Sequence, residues 1–234
     1  MSRRRRMMGG VIGSLLSGNN NKLWLDASDT STITQSSGSV SQWNDKSGNG
    51  NNATQATGTA QFAYNATGLN GKPALISASG DSMALGSTVS LTGEFSIFIV
   101  NSRAALATMM LLGNSSQNTK IGITTDPAGR AFVRAVNLGA SDTTQTFPGL
   151  NVPNICEVTR DSANKVDSAF DGASLNRLFS DAAQVSTFGI NRVGLDDFTG
   201  HWQGAISEII LFDRSLTPSE RTVMNAYLSN KWGI

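Results

Sequence analysis

Residues 204–232 read Gly204-Ala205-Ile206-Ser207-Glu208-Ile209-Ile210-Leu211-Phe212-Asp213-Arg214-Ser215-Leu216, then Thr217-Pro218-Ser219-Glu220-Arg221-Thr222-Val223-Met224-Asn225-Ala226-Tyr227-Leu228-Ser229-Asn230-Lys231-Trp232. The first half predicts a strand with apolar residues on both faces. Ile206, Ile210 and Phe212 point one way, and Ile209 and Leu211 the other. Such a strand belongs inside a two-layer protein. The second half predicts a helix. Thr217 can cap it, Pro218 suits its first turn, and Glu220 completes a capping box. Val223, Tyr227 and Leu228 then share a face, with Trp232 one turn on, so the chain end is expected to close the core.

Working outward, short strands are predicted at regular intervals. They include Leu23–Asp26, Val40–Trp43, Pro73–Ile76, Ser82–Leu85, Phe95–Val100, Met109–Leu112, Lys120–Thr124, Arg130–Val136 and Ile155–Arg160. Val166–Phe170 and Ser174–Leu178 flank Asp171-Gly172, a hairpin signal. The 24 glycines, with abundant Ser, Thr and Asn, supply the turns such a chain needs. Together these predict an all-β, two-sheet antiparallel sandwich over residues 22–234 with one C-terminal amphipathic helix.

Residues 1–21 differ in composition from the rest of the chain. Arg3, Arg4, Arg5 and Arg6 precede Met7, Met8, Val11, Ile12, Leu15 and Leu16, with a polar linker at Ser17–Asn21. The net charge is +1, but these four arginines are among only 18 basic residues, against 17 acids, so the body is acidic. The segment reads as an anchor arm, with guanidinium groups meeting acids or phosphates and the apolar residues burying against a partner. A basic start before an apolar run also resembles a secretory signal, although glycines interrupt the run. No apolar run reaches the ~18 residues that span a bilayer. Such arginines could touch nucleic-acid phosphates without reading sequence, so no sequence-specific nucleic-acid partner is expected, and with no aromatic residue interleaving them neither is a stacking single-strand site.

The ordered set Leu23-Trp24-Leu25-Asp26-Ala27, Trp43-Asn44-Asp45-Lys46-Ser47-Gly48-Asn49-Gly50, Gly71-Lys72-Pro73-Ala74 and Gly204–Trp232 resembles the concanavalin A-like (laminin-G-like) jelly-roll modules of bacterial surface and phage structural proteins. The resemblance covers residues 22–234 and implies a jelly-roll fold. It does not carry function, because lectins, glycosidases and scaffolds share that fold.

Residue chemistry narrows the choice. The Glu-x-Asp-x-x-Glu strand of β-glucan hydrolases with this fold is missing; Thr159 stands two residues after Glu157, where Asp is needed. His201 is the only histidine and Cys156 the only cysteine, so any triad must use His201, which reads as a rim or packing residue, an all-His/Cys zinc site cannot be built, and an internal disulfide is excluded. Cys156 reads as a buried structural thiol. Asp45, Ser47 and Asn49 place oxygens at alternate positions before Gly50, like half of a calcium loop; the reading preferred is a turn capped by side chains, with no cofactor. Asp196, Asp197, His201 and Trp202 form a candidate sugar platform, with packing of Trp202 as the alternative.

These features lead to the expectation of a non-enzymatic structural protein. It would be a phage virion component, such as a capsid decoration, fibre or tail protein, held in many copies to other virion proteins by the arm. The alternative is a carbohydrate-binding module on a cell or virion surface, meeting surface glycans, and either secreted or displayed.

Overall fold

A computed structural model of the chain describes residues 3–78, 80–115, 119–125, 131–136, 146–177, 187–195 and 200–234. Two helices flank a β structure. Helix α1 is Arg3–Ser17 and helix α2 is Pro218–Trp232. The strands are β1 Asn21–Asp26, β2 Ile33–Ser36, β3 Ser39–Trp43, β4 Ala53–Thr54, β5 Ala63–Leu69, β6 Lys72–Ser77, β7 Met83–Leu91 and β8 Phe95–Arg103. They continue with β9 Met109–Gly113, β10 Lys120–Thr125, β11 Ala131–Val136, β12 Asn154–Arg160, β13 Val166–Phe170, β14 Asn176–Arg177, β15 Phe188–Val193 and β16 Gly204–Phe212.

The chain is mostly β, and every named strand pair is antiparallel. Hydrogen bonding links the strands into one curled ladder, in the order β11-β10-β9-β15-β7-β4-β3-β5-β6-β16-β8-β12-β13-β14, with β1 on β16 and β2 on β3. The expected separation into two sheets is therefore replaced by a continuous 16-stranded sheet among the described residues. Strands such as β3, β4 and β5 pair around the bend, and a sheet that curls this far covers its own apolar face.

β16 lies at the centre, and all nine of its residues are buried. It pairs with β8 along its length and with β6 and β1 on the other edge. A bulge at Ser207 changes the predicted facing. Ile206 pairs with Asn101 and Glu208 with Val100, so Ile206 joins the row of Ile209 and Leu211 instead of that of Ile210 and Phe212. One face of this region carries Leu23, Leu25, Ile97, Ile99, Cys156, Val158, Ile209 and Leu211 as cross-strand neighbours. The opposite face carries Trp24, Asp26, Phe98, Val100, Glu157, Glu208 and Ile210. Gly204 opens the strand at φ 141°, where an added Cβ would lie 2.1 Å from the Ser102 carbonyl oxygen; no larger residue fits.

Helix α2 covers that second face. Its start matches the sequence reading. Thr217 Oγ1 accepts from the Glu220 amide at 3.3 Å, and Glu220 Oε2 accepts from the Thr217 amide at 2.9 Å. The buried face is turned slightly from the expected one. Met224, Leu228 and Trp232 are fully buried with Asn225, while Val223 and Tyr227 are half-buried flanks. The polar residues Glu157 and Glu208 beneath the helix set this rotation, drawing Arg221, Asn225 and Lys231 toward the sheet. The Asp171-Gly172 turn forms as read, with φ 51° and 76°, and joins β13 to β14.

Helix α1 corrects the anchor reading. Ile12, Leu15 and Leu16 are buried in the same core as the strands, and the helix lies against α2 and β1. Its end is tied down by Asn21 Nδ2 donating to the Leu16 carbonyl (2.8 Å) and by Asn20 Nδ2 donating to Asp213 Oδ1 (2.8 Å). These three apolar side chains serve the domain itself and are not free for a partner. Val11 is 40% exposed. The side chains of Arg3, Arg4, Arg5, Arg6, Met7 and Met8 lie outside the described residues. Among the described residues, no helix is long and apolar enough to cross a membrane.

Candidate functional site

The acids beneath α2 are natural candidates, because paired carboxylates are what sugar chemistry uses. Glu208 is fully buried. It accepts from Trp24 Nε1 (2.8 Å), Trp232 Nε1 (2.6 Å), Lys231 Nζ (2.9 Å) and Tyr227 Oη (3.4 Å). Lys231 also reaches Asp26 at 2.8 Å, and Lys46 bridges Asp26 (2.9 Å) to Asp29 (2.8 Å). Burial pushes the Glu208 carboxyl above its ordinary range, against the pull of Lys231. Asp26 is held below its ordinary value: burial raises it, and that effect is outweighed by Lys231, Ser28 and Lys46 together. Glu157 is likewise fully buried and is gripped by the Arg221 fork and by Asn225 Nδ2 (3.1 Å). Both glutamates are sealed and saturated with donors, so they brace α2 on the sheet and cannot reach a substrate.

The residues singled out in the sequence disperse. Asp45 Oδ1 accepts from the Trp24 and Ser47 amides (both 2.9 Å); Oδ2 accepts from Ser47 Oγ (2.8 Å) and the Asn51 amide (3.0 Å). Asn49 Nδ2 donates to the Asn21 carbonyl and to Ser47 Oγ, both at 2.8 Å. Asp45, Ser47 and Asn49 thus stitch their loop to β1, as turn-capping side chains do. Among the described residues, no group of three or more His, Cys, Asp or Glu is placed to hold a metal ion. Trp202 is fully buried, its ring 6.2 Å from that of Phe147, so it cannot serve as the sugar platform. His201 is half-buried, with Nδ1 3.4 Å from the Asp81 carbonyl oxygen. Asp196 and Asp197 lie outside the described residues. Burial pushes the Cys156 thiol far up, as suits a structural cysteine.

Two hollows on the described surface have linings that bear on binding. One, of about 420 Å³, lies between α1, the end of β16 and the start of α2. It is lined by Val11, Leu15, Phe212 and the Arg214–Glu220 pair, whose two hydrogen bonds are both 2.8 Å. The other, about 60 Å³, is a shallow footing lined by Thr30, Ile33, Gln35 and Tyr64. It sits where edge strand β2 and strand β5 approach. The Ser37-Gly38 turn holds both sides. Gln35 Oε1 accepts from the Gly38 amide (2.7 Å), and the Tyr64 amide donates to the Gly38 carbonyl (2.7 Å).

Among the residues whose exposure is described, Trp24, Tyr64 and Tyr227 are the aromatic ones that are partly exposed. Lys46 lies over the Trp24 ring at 4.3 Å, and Tyr227 and its hydroxyl belong to the Glu208 cluster. Tyr64 alone of the three offers its ring to a hollow. An aromatic face beside an aliphatic floor, an amide and a hydroxyl can stack on the C–H face of a sugar and bond its hydroxyls. The available sequence signal was one Tyr within Ala63-Tyr64-Asn65-Ala66-Thr67, an aromatic among small and polar residues.

No family model matches the chain, and no curated protein matches it by sequence. Solved structures do match in fold. An arabinofuranosidase, complexed with arabinofuranosyl-α-1,2-xylobiose, aligns at 15% identity with a TM-score of 0.59, over 83% of this chain and 51% of that one. The Trypanosoma rangeli sialidase, in complex with the inhibitor DANA, aligns at 14% identity and TM-score 0.56, over 95% of this chain and 38% of that one. Domain 4 of AbnA, an extracellular arabinanase from Geobacillus stearothermophilus, in complex with arabinotriose, aligns at 15% identity and TM-score 0.55, over 87% of this chain and 97% of that domain. The chain spans about half the length of the arabinofuranosidase and less of the sialidase. These matches overturn the expectation of a non-enzymatic phage virion component, with its capsid, fibre or tail setting, because the structures that share the fold are carbohydrate-active proteins.

Proposed function

We propose that this chain is a glycan-recognising module of a carbohydrate-active protein and that it seats sugar on the Tyr64 footing. The observation that carries the reading is the likeness to domain 4 of the arabinanase, a domain complexed with arabinotriose that this chain matches over nearly its whole length. The partly exposed Tyr64 beside Gln35, Thr30 and Ile33 supplies the chemistry such binding needs. The finer assignment to concanavalin A-like jelly-roll modules belongs to this reading; the curled antiparallel sheet and the ordered motifs from Leu23 to Trp232 support it. A polymer-binding module works where polymers are, so a secreted or surface setting is part of the proposal.

The test is a titration of arabinotriose, and of xylo- and cello-oligosaccharides, into the full chain by calorimetry. At least one neutral glycan should bind, and Tyr64→Ala should weaken it by about fivefold, the effect of losing ~1 kcal/mol of aromatic stacking. Failure of every neutral glycan to bind at millimolar concentration, or unchanged binding by Tyr64→Ala, overturns the assignment. Release of new reducing ends in the same mixtures would move the reading from recognition to catalysis.

A further inference from the structure

Arg103, the last residue of β8, is 5% exposed. Its Nε donates to the Pro148 carbonyl at 2.7 Å. Nη1 is sealed from solvent and has no hydrogen-bond partner. Its guanidinium carbon lies 5.9 Å from the centre of the Phe147 ring. Among the described residues no carboxylate pairs with it. Burial holds its pKa below the ordinary arginine value, and no neighbouring acid pulls the other way.

The contrast with Arg160 shows what is missing. Arg160 is also buried and also lies against an aromatic ring, that of Phe95. It donates through Nε to the Gly93 carbonyl (2.5 Å) and through Nη2 to the Leu91 carbonyl (2.8 Å), so it clasps the turn between β7 and β8. Arg103 has one such bond. A buried guanidinium left without an anion is among the costliest arrangements a fold can keep, and an orphaned buried donor asks for a partner.

The surroundings describe that partner. Two loops meet at Arg103: residues 104–108 come directly after it, and 148–153 is tied to it by the Pro148 bond and by the Asn151 amide donating to the Arg103 carbonyl (2.7 Å). These loops carry Leu106, Leu150 and Val152, which are 55%, 42% and 47% exposed and are three of the four large apolar side chains exposed among the described residues. A charged fork flanked by aliphatic side chains suits a ligand with a carboxylate at one end and a C–H surface beside it.

We propose that Arg103 is the carboxylate anchor of a second ligand site, one that takes a uronic-acid unit of an acidic glycan. The site is distinct from the Tyr64 footing. It rests on the glycan-recognition reading only in taking the ligand to be a sugar. The carboxylate supplies the countercharge that the guanidinium lacks, while the sugar ring lies on the aliphatic loop residues.

The experiment titrates trigalacturonate, hexanoate and arabinotriose separately into the full chain, with EDTA present so that no divalent ion bridges. Trigalacturonate should bind and raise the Tm of the wild-type protein. Arg103→Met should weaken that binding by at least about tenfold; Arg103→Lys should weaken it too, because an ammonium lacks the planar fork. Arabinotriose binding should be untouched in both variants. Tyr64→Ala should show the reverse pattern, so if the wild type binds trigalacturonate and none of the neutral glycans, the Tyr64 assignment fails while this one stands. Four results overturn the proposal: no trigalacturonate binding by the wild type; equal binding by Arg103→Met; hexanoate stabilising the protein more than trigalacturonate does; or a Tm loss above roughly 10 °C in both variants, which would mark Arg103 as a structural tie to the Pro148 loop.

Discussion

Glu208 shows how one side chain can bind a helix to a sheet. Its two oxygens gather two indole N–H groups, one ammonium and one phenol, from β1 and from α2. Replacing it with Ala would leave both tryptophan donors without an acceptor and Lys231 with only Asp26 and the Tyr227 hydroxyl. The variant should lose about 3–5 kcal/mol, the range seen when one partner of a buried pair is removed. Urea denaturation at neutral pH would measure this. A loss below ~1 kcal/mol would mean that water replaces the carboxylate easily and the cluster is not closed. Nothing local marks Glu208 as special, because Ile206-Ser207-Glu208-Ile209 reads like any strand with one polar position. Its role arises from the bulge at Ser207, which turns it toward α2.

Helix α2 is held at its start by a local device. Thr217 and Glu220 exchange hydrogen bonds, and the Arg214 fork adds two more to Glu220. Arg214, chiefly, holds the Glu220 carboxyl down to about 2; burial opposes it, and the Thr217 donors help. A carboxyl depressed in the folded state stabilises the fold above its unfolded value of 4.5, and that contribution is lost as pH falls toward 2. Glu220→Gln should therefore flatten the fall in stability between pH 4.5 and 2; an unchanged acid profile would assign the acid sensitivity to other carboxylates. Thr217→Ala should cost about 1 kcal/mol at neutral pH by losing the cap. The capping box was legible in Thr217-Pro218-Ser219-Glu220 because all its parts lie within one turn. The buried face was legible only to within one helical position, since Glu157 and Glu208 on distant strands set the rotation.

At the scale of the molecule, α1 is part of the fold. Ile12, Leu15 and Leu16 share the core with the sheet, and Asn20 and Lys22 tie the segment after the helix to Asp213. Burying each of those aliphatic side chains contributes roughly 1.5–3 kcal/mol, from which the ordering of the helix must be subtracted. Deleting residues 2–18 should lower the Tm by roughly 5–10 °C, as expected for a net loss of a few kcal/mol in a chain of this size. A Tm within about 2 °C of the full chain would return the segment to the status of a free arm. The composition break at Ser17–Asn21 is real in the sequence, yet it marks a helix end, where Asn21 closes the last turn through the Leu16 carbonyl.

The amino-acid sequence by itself determined what depends on neighbours a few residues apart. The strand at Gly204–Phe212, the capped helix after it, the Asp171-Gly172 turn and the apolar β8 run all stem from local periodicity and backbone preference. It also excluded a disulfide within these 234 residues, since Cys156 is alone. The tertiary structure decided what depends on residues far apart in the chain. It joined the strands into one curled ladder, turned Glu208 inward through a bulge, buried Trp202 against Phe147 and docked α1 on α2. It also left Tyr64 partly exposed and, among the described residues, Arg103 buried without a carboxylate partner. An aromatic ring or a charge looks the same in the sequence whether it ends up packed, paired or exposed. Which of these happens is set by the surface brought against it, and here that surface is the sheet's own curl.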